Sequence, residues 1–181
     1  KRCREIVKEL LDFSRQAPPH KKDLDVNEVV RRALDIIDHQ FTVNNIEVTS
    51  TLADSLPRVH ADANKMGQVL LNLLVNAGDA VEPGAGEIFV GTESKSVSGR
   101  DYVEIKVADN GHGIAEADQS KVFEPFFTTK ETGTGLGLAV VWGIVNEHAG
   151  TITVNSRIDR GTTFTIRIPT IDRDEESDTR G

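Results

Sequence analysis

The sequence is poor in several residue types that often define a protein class. Cys3 is its single cysteine among 181 residues, which excludes an internal disulfide and favours a reducing compartment. Aromatic residues make up only 5%, so a core would consist mainly of Val, Leu and Ile. No apolar run approaches the roughly 20 residues that cross a membrane, and no signal peptide is visible. The net charge of −8 argues against nucleic acid as a main partner.

Composition and patterning divide the chain into four segments. Residues 1–17 predict the end of an amphipathic helix, which either pairs with a partner helix or simply caps the domain. Residues 18–24 are interpreted as a polar linker, and residues 25–170 as one domain. Residues 171–181 are charged and are predicted to be a disordered tail.

The central segment alternates between helical and strand patterns. Helices are predicted from Asp25 or Asn27 to about Phe41, after Asp62, and over residues 137–148. Strands are predicted over 46–51, 87–94, 102–109, 151–156 and 162–168, and a long lid loop over 110–136. The expected fold class is α/β: a two-layer sandwich with a mixed, mainly antiparallel sheet of about five strands and helices on one face.

The run from residue 68 to residue 80 predicts a helix with an unusual polar stripe. Gln68, Asn72, Asn76 and Asp79 fall on one face at 100° per residue, opposite a leucine-rich face. Asn is a poor helix former, so two of them within a helix favour a half-buried pocket. An ordinary surface helix is the alternative.

Asp109 follows a strand pattern directly. It shares the parity of Val103, Ile105 and Val107, so its carboxylate is expected to point inward from the strand end. A buried carboxylate needs a donor, which a ligand amine can supply. A simple Asp-Asn-Gly turn is the alternative.

A glycine-rich segment, 133–137, precedes the last predicted helix. Glycines let backbone amides approach a phosphate, and the helix N-terminus attracts negative charge. The segment lacks the strand that precedes a dinucleotide fingerprint and the Lys-Ser/Thr pair that ends a P-loop.

In this order, the three segments resemble the catalytic ATP-binding domain of bacterial two-component sensor histidine kinases of the nitrogen-regulator-like class. The helix with two asparagines is similar to the N box, 109–113 to the G1 box, 123–130 to the F box and 133–137 to the G2 box. The resemblance spans roughly residues 24–170. It implies the Bergerat fold of the GHKL superfamily with a long ATP lid.

The resemblance implies ATP or ADP and Mg²⁺ as cofactors. Asn76 would bind Mg²⁺ with support from Asn72, and these two are the predicted catalytic residues. Asp109 would accept a hydrogen bond from the adenine amine, with Thr162 beside it. The full predicted cofactor site comprises Asn72, Asn76, Asp79, Ala80, Asp109, Gly111, Gly113, Ile114, Thr128, Thr129, Lys130, Gly133, Thr134, Gly135, Leu136, Gly137, Leu138 and Thr162.

Two parts of the lid keep alternative interpretations. Lys130 either contacts phosphate or is a solvated lysine. The aromatic residues Phe123, Phe126 and Phe127 either hold the lid in place or are ordinary core side chains.

The implied reaction transfers the γ-phosphoryl group of ATP to a histidine, for relay to the aspartate of a response regulator receiver domain in two-component signal transduction. The five histidines lack the sequence context of the phosphoacceptor: His20, His39, His60, His112 and His148. We therefore expect the acceptor hairpin, from the same or a partner protomer, to lie upstream, and we expect no autophosphorylation by this fragment alone. The parent is expected to be a homodimer, while the fragment is compatible with a monomer. The expected location is the cytoplasm, either free or as part of a membrane-bound sensor.

Two other functions fit the same motifs. One is an ATPase clamp of the GHKL superfamily, which hydrolyses ATP without a phosphohistidine. The other is a nucleotide-binding module without turnover. A phosphorylated acceptor hairpin would distinguish the kinase from both.

Overall fold

The computed structural model describes residues 18–130 and 133–171. The helices are α1 (Val26–Val43), α2 (Ala63–Ala80), α3 (Glu116–Gln119) and α4 (Gly137–Glu147). The strands are β1 (Lys22–Leu24), β2 (Glu47–Leu52), β3 (Val59–Ala61), β4 (Glu87–Val97), β5 (Arg100–Asp109), β6 (Thr151–Arg157) and β7 (Gly161–Pro169). The predicted N-terminal helix lies outside the described residues, as does the predicted tail 171–181 except Ile171, whose amide donates to the carbonyl of Arg58 at 3.0 Å.

Five strands form the main sheet in the order β2-β4-β5-β7-β6. Strand β2 is parallel to β4, and the other neighbouring strands are antiparallel. The inner face carries buried aliphatic side chains at every second position, such as Val103, Ile105 and Val107 on β5. Helices α1, α2 and α4 supply the other half of the same core. The predicted two-layer α/β fold is therefore confirmed.

Both long helices begin at an aspartate that caps them. Asp25 accepts a hydrogen bond from the amide of Asn27, and Asp62 accepts from the amides of Asn64 and Lys65. The leucine-rich face of α2 is buried as predicted, since Leu70 and Leu73 are each 1% exposed. Apolar periodicity and an N-cap thus determine where α2 starts and which face it buries.

Ile36 on α1 does not belong to the core, although the apolar pattern of this helix predicts that it does. Its side chain is 65% exposed, while Ile37 beside it is buried. The buried stripe of α1 is centred on Val30, Ala33 and Ile37, and Ile36 lies about 90° from the centre of this stripe at 100° per residue.

The predicted linker contains strand β1, which pairs with β3 in a small antiparallel sheet. Just before it, the backbone amide of His20 donates to Asp62, and the ammonium group of Lys21 donates to the carbonyl of Glu147. A strand of three residues with two charges has no recognisable periodicity, so the sequence did not predict it. No helix in the described residues is long and apolar enough to cross a membrane.

Candidate functional site

A cavity of about 680 Å³ lies between α2, the end of β5, the lid and the start of α4. This volume is in the range of sites for small molecules and cofactors. All predicted cofactor residues except Gly111 and Gly113 line it. Lining residues outside the predicted site are Gln68, Val75, His112, Val122, Phe127, Val140 and Phe164. The polar stripe of α2 and the glycine segment, 65 residues apart in the chain, therefore face one space.

The inner end of the cavity is formed by Asp109 and Thr162. The backbone amides of Gly111 and Thr162 both donate to Oδ1 of Asp109, at 2.9 and 3.3 Å. Burial raises the pKa of the Asp109 carboxyl above its ordinary value, and these two amides offset part of that rise. A half-buried carboxylate of this kind is stabilised by a ligand that donates a hydrogen bond.

A serine that the sequence analysis did not single out lies behind Thr162. The hydroxyl oxygens of Ser156 and Thr162 are 2.9 Å apart, and both residues are buried. The sequence does indicate this position. Ser156 has the same strand parity as Ile152 and Val154, so its polar side chain is expected to face inward.

The lid end of the cavity is formed by Asn72, Asn76, Lys130 and the first residues of α4. The side-chain amide of Asn72 donates to the carbonyl of Gly137 at 3.3 Å, and Lys130 pairs with Asp79 at 2.9 Å. The amide of Asn76 has no partner within the described residues. Among the described residues no side chain caps helix α4, so its first backbone amides face the cavity wall. This end therefore offers hydrogen-bond donors and a positive helix terminus to an anion.

The predicted site glycines differ in what surrounds them. A Cβ atom on Gly111 would overlap the carbonyl of Ala80, and one on Gly113 would overlap the carbonyl of Arg157. Gly113 also has a φ of +73°, which disfavours other residues. A Cβ on Gly137 would meet open space. Hence the fold itself requires Gly111 and Gly113, whereas Gly137 leaves room for a ligand.

Part of the lid covers the cavity. The amide of Phe126 donates to the carbonyl of Gly135 at 3.0 Å, which joins the F-box segment to the glycine segment. Phe123 packs edge to face against Phe164, with ring centroids 6.3 Å apart. Phe127 lines the cavity, but Phe126 is 64% exposed. Phe123 therefore fits both interpretations, and Phe126 is not a core side chain.

His148 lies at the end of α4 and is buried. It connects this helix to the start of α2. Its Nε2 accepts the backbone amide of Asp62 at 3.0 Å, and its Nδ1 bonds to the carbonyl of Ile144 at 2.7 Å. Burial lowers the pKa of His148, which keeps the imidazole neutral. Burial alone would raise the pKa of Asp62, but amides of Lys65, His20 and Asn64 that donate to its carboxylate lower it overall. His148 thus has a structural role in this fold.

Asn76 has the chemistry to serve as a ligand of Mg²⁺. The described residues contain no group of three or more His, Cys, Asp or Glu side chains that could hold a metal ion. Mg²⁺ commonly takes one or two protein oxygens and completes its shell with phosphate and water. The unpartnered amide of Asn76 on the cavity wall fits such an ion only together with a phosphate ligand.

Comparison with known proteins gives matches along most of the chain. The model of the family described as histidine kinase-, DNA gyrase B-, and HSP90-like ATPase matches residues 61–172. Sensor histidine kinase ZraS of Escherichia coli (strain K12) is 39% identical over 168 residues, which are 93% of this chain and 35% of that protein. Sporulation kinase E of Bacillus subtilis (strain 168) is 35% identical over 176 residues, 97% of this chain and 23% of that protein. The chain spans about a third or less of the length of these relatives.

Solved structures of histidine kinases have the same fold. The catalytic domain of histidine kinase ThkA gives a TM-score of 0.74 at 32% identity and covers 83% of this chain and 96% of that chain. ThkA in complex with response regulator protein TrrA gives 0.78 at 30% identity, covering 94% and 48%. Full-length ShkA in complex with AMPPNP gives 0.79 at 27% identity, covering 91% and 35%. The predicted resemblance to sensor histidine kinases is confirmed.

Proposed function

Because the chain belongs to the family of histidine kinase-, DNA gyrase B- and HSP90-like ATPases, we propose that it is the catalytic ATP-binding domain of a sensor histidine kinase. The observation that carries the proposal is the polarity of the cavity. Its inner end presents the carboxylate of Asp109, and its lid end presents the amides of α4, Lys130 and Asn76. An acceptor at one end and donors at the other match the amine of adenine and the phosphates of ATP.

At the inner end, Asp109 accepts a hydrogen bond from the exocyclic amine of adenine. Guanine has a carbonyl at that position, which would face the carboxylate without a hydrogen atom between them. The raised pKa of Asp109 supports this role, because the amine compensates for the burial of the charge. Asp109 therefore selects ATP over GTP.

At the lid end, the first amides of α4 and the ammonium group of Lys130 bind the phosphates. To reach the phosphates, Lys130 leaves its present partner Asp79, so that one exposed ion pair is exchanged for another. Asn76 would hold Mg²⁺, and Asn72 keeps α2 and α4 in register through Gly137. When bound, Mg²⁺ neutralises phosphate charge.

The reaction moves the γ-phosphoryl group to a histidine of the parent protein other than the five in this chain. An imidazole nitrogen attacks with its lone pair, a P–N bond forms, and the bond to the oxygen that bridges the β- and γ-phosphorus atoms breaks as ADP leaves. This chain contributes position and charge rather than a covalent intermediate. The phosphohistidine would then supply the aspartate of a response regulator receiver domain.

The proposal extends to the parent protein. We expect a helical hairpin in the same or a partner protomer to carry the acceptor histidine. The expected parent is a homodimer in the cytoplasm, either free or with this domain as the cytoplasmic part of a membrane-bound sensor. Residues 1–17 would end that hairpin, and residues 18–24 would connect it to the catalytic domain. Strand β1 and the bond from His20 to Asp62 support a fixed connection.

The test is phosphoryl transfer from Mg-ATP labelled in the γ-position to a separately purified acceptor hairpin of the parent protein. We expect acid-labile, alkali-stable label on the hairpin, and none when its acceptor histidine is replaced by Gln. Hydrolysis of ATP without label on the hairpin would favour an ATPase clamp. Binding of Mg-ADP without either reaction would favour a module without turnover, and both results contradict the kinase.

A further inference from the structure

Ser156 and Thr162 form a buried hydroxyl pair behind the inner end of the cavity. Ser156 is 8% exposed and Thr162 is 5% exposed. Thr162 lines the cavity, whereas Ser156 does not. Ser156 can therefore influence a ligand only through its neighbours.

The hydrogen atoms of this pair can be assigned by counting. The hydroxyl group of Ser156 donates its single hydrogen to the carbonyl of Gly161 at 2.9 Å, and its oxygen accepts the amide of Ile114 at 2.8 Å. A serine oxygen has two lone pairs, so one remains for Thr162 at 2.9 Å. The hydrogen between the two hydroxyls consequently comes from Thr162.

This assignment decides what Thr162 offers to a ligand. A threonine hydroxyl has one hydrogen, and in Thr162 it is directed to Ser156, so only the two lone pairs of the oxygen remain for the cavity. Asp109 beside it is also an acceptor, because its Oδ1 receives the amides of Gly111 and Thr162. The inner end of the cavity is thus composed of side-chain acceptors.

We infer that Ser156 is a positioning residue that holds the Thr162 hydroxyl as an acceptor and so makes the site discriminate against purines with a carbonyl at C6. The inference rests on the proposed binding of an adenine nucleotide. Without Ser156, the hydroxyl of Thr162 is free to rotate and to donate to such a carbonyl. Discrimination between a 6-amino and a 6-oxo purine then weakens.

Gln119 provides the matched control. Its side-chain amide donates to the carbonyls of Ile114 at 3.1 Å and Ser156 at 2.9 Å. Gln119 therefore connects the start of the lid to β6, and Ser156 makes the same connection through the amide of Ile114. Unlike Ser156, Gln119 does not contact the hydroxyl of Thr162. Gln119→Ala loosens the same junction without changing the hydrogen-bond polarity of the site.

The experiment is calorimetric titration with Mg-ADP and Mg-IDP, whose base has a carbonyl at C6. The proteins are wild type, Ser156→Ala, Thr162→Val, the double variant and Gln119→Ala. In Ser156→Ala we expect the preference for ADP over IDP to fall by about three- to tenfold, the value of one hydrogen bond. In the Thr162→Val background, Ser156→Ala should leave the preference unchanged, because no hydroxyl remains to reorient. Gln119→Ala should weaken both nucleotides alike.

Two results would overturn the inference. One is an unchanged preference in Ser156→Ala, and the other is an equal change with and without the Thr162 hydroxyl, which would indicate a structural effect. Ser156→Thr, which retains the hydroxyl, should restore the wild-type preference. If circular dichroism shows that Ser156→Ala does not fold, Ser156→Cys takes its place, with a smaller fall in the preference expected because a thiol is only a weak acceptor. Failure of wild type to bind either nucleotide would instead refute the proposed function.

Discussion

At the inner end of the cavity, Asp109 is held by two backbone amides, whereas at the lid end the amide of Asn76 has no partner in the described part of the chain. Two of the glycines follow the same division. Gly113 is packed against the backbone of Arg157, and Gly137 faces open space. The inner end is therefore preorganised for one chemical group, and the lid end acquires its contacts when a ligand arrives. Base recognition and phosphate binding should accordingly respond differently to mutation.

The largest effect is expected from Asp109→Asn, which replaces an acceptor oxygen by a donor at the place where we propose that the adenine amine binds. We expect the dissociation constant of Mg-ADP to rise about 100-fold, the scale of a lost charge-assisted hydrogen bond, in calorimetric titration. Without nucleotide, the variant should be at least as stable as wild type. The pKa of Asp109 is raised in the fold, so its ionised carboxylate lowers the stability of the wild type as pH rises through and above the ordinary pKa of an aspartate. A variant that unfolds would show that the carboxylate is structural.

The second prediction compares two glycines. Gly113→Ala should lower the free energy of unfolding by about 2 kcal/mol or more, because of its positive φ and the overlap with Arg157. Gly137→Ala should leave urea-induced unfolding unchanged and weaken Mg-ADP. Equal stability losses in both variants would remove the distinction between the two ends.

The third prediction concerns His148, which joins the helices that carry the lid end. Its pKa is lowered in the fold, so the unfolded chain binds more protons, and stability should fall as pH decreases below about 6.5 towards the lowered value. Urea unfolding between about pH 5 and pH 8 measures this slope. The pKa of Asp62 is also lowered, and hydrogen bonds from Lys106 and Lys95 lower the pKa of Glu93 to about 2. These two carboxylates therefore change the stability only at lower pH.

His148→Gln should flatten that slope in the same pH window. It should also cost about 1 kcal/mol at neutral pH, because the bond between Nδ1 and the carbonyl of Ile144 is lost, while the side-chain oxygen of Gln still accepts the amide of Asp62. An unaltered slope in the variant would assign the pH dependence to another group.

The smallest effect is expected from Lys130→Gln. The pair with Asp79 is exposed, with side chains 34% and 50% accessible, so stability should be unchanged. Mg-ADP should bind about threefold more weakly, because one exposed charge near the phosphates is lost. Lys95→Gln is the control: its pair with Glu93 is similarly exposed but lies outside the cavity. A matching loss of affinity in the control would mean that net charge alone explains the result.

Periodicity was sufficient to predict most of the fold and the side chains that face the cavity. The stripe of Asn72 and Asn76 follows from 3.6 residues per turn, and the inward carboxylate of Asp109 follows from strand parity. These features are local, so the sequence displays them directly.

Contacts between distant segments were not predictable in the same way. His148 meets Asp62 across 86 residues, and Ser156 meets Ile114 across 42. The different roles of the glycines could not be predicted from the sequence either, because Gly113 and Gly137 both stand in a loop-like sequence and differ only in their neighbours in space. Strand β1 was missed because its pairing with β3 is a tertiary contact.

Thermal unfolding of the wild-type protein with Mg-ADP, with Mg-GDP and without nucleotide tests the central claim most directly. With Mg-ADP at about a hundred times its dissociation constant, we expect roughly 2.7 kcal/mol of added stability, and with Mg-GDP at the same concentration none. Equal stabilisation by both nucleotides would contradict base recognition at Asp109. No stabilisation by either, in a folded sample, would contradict the nucleotide site itself.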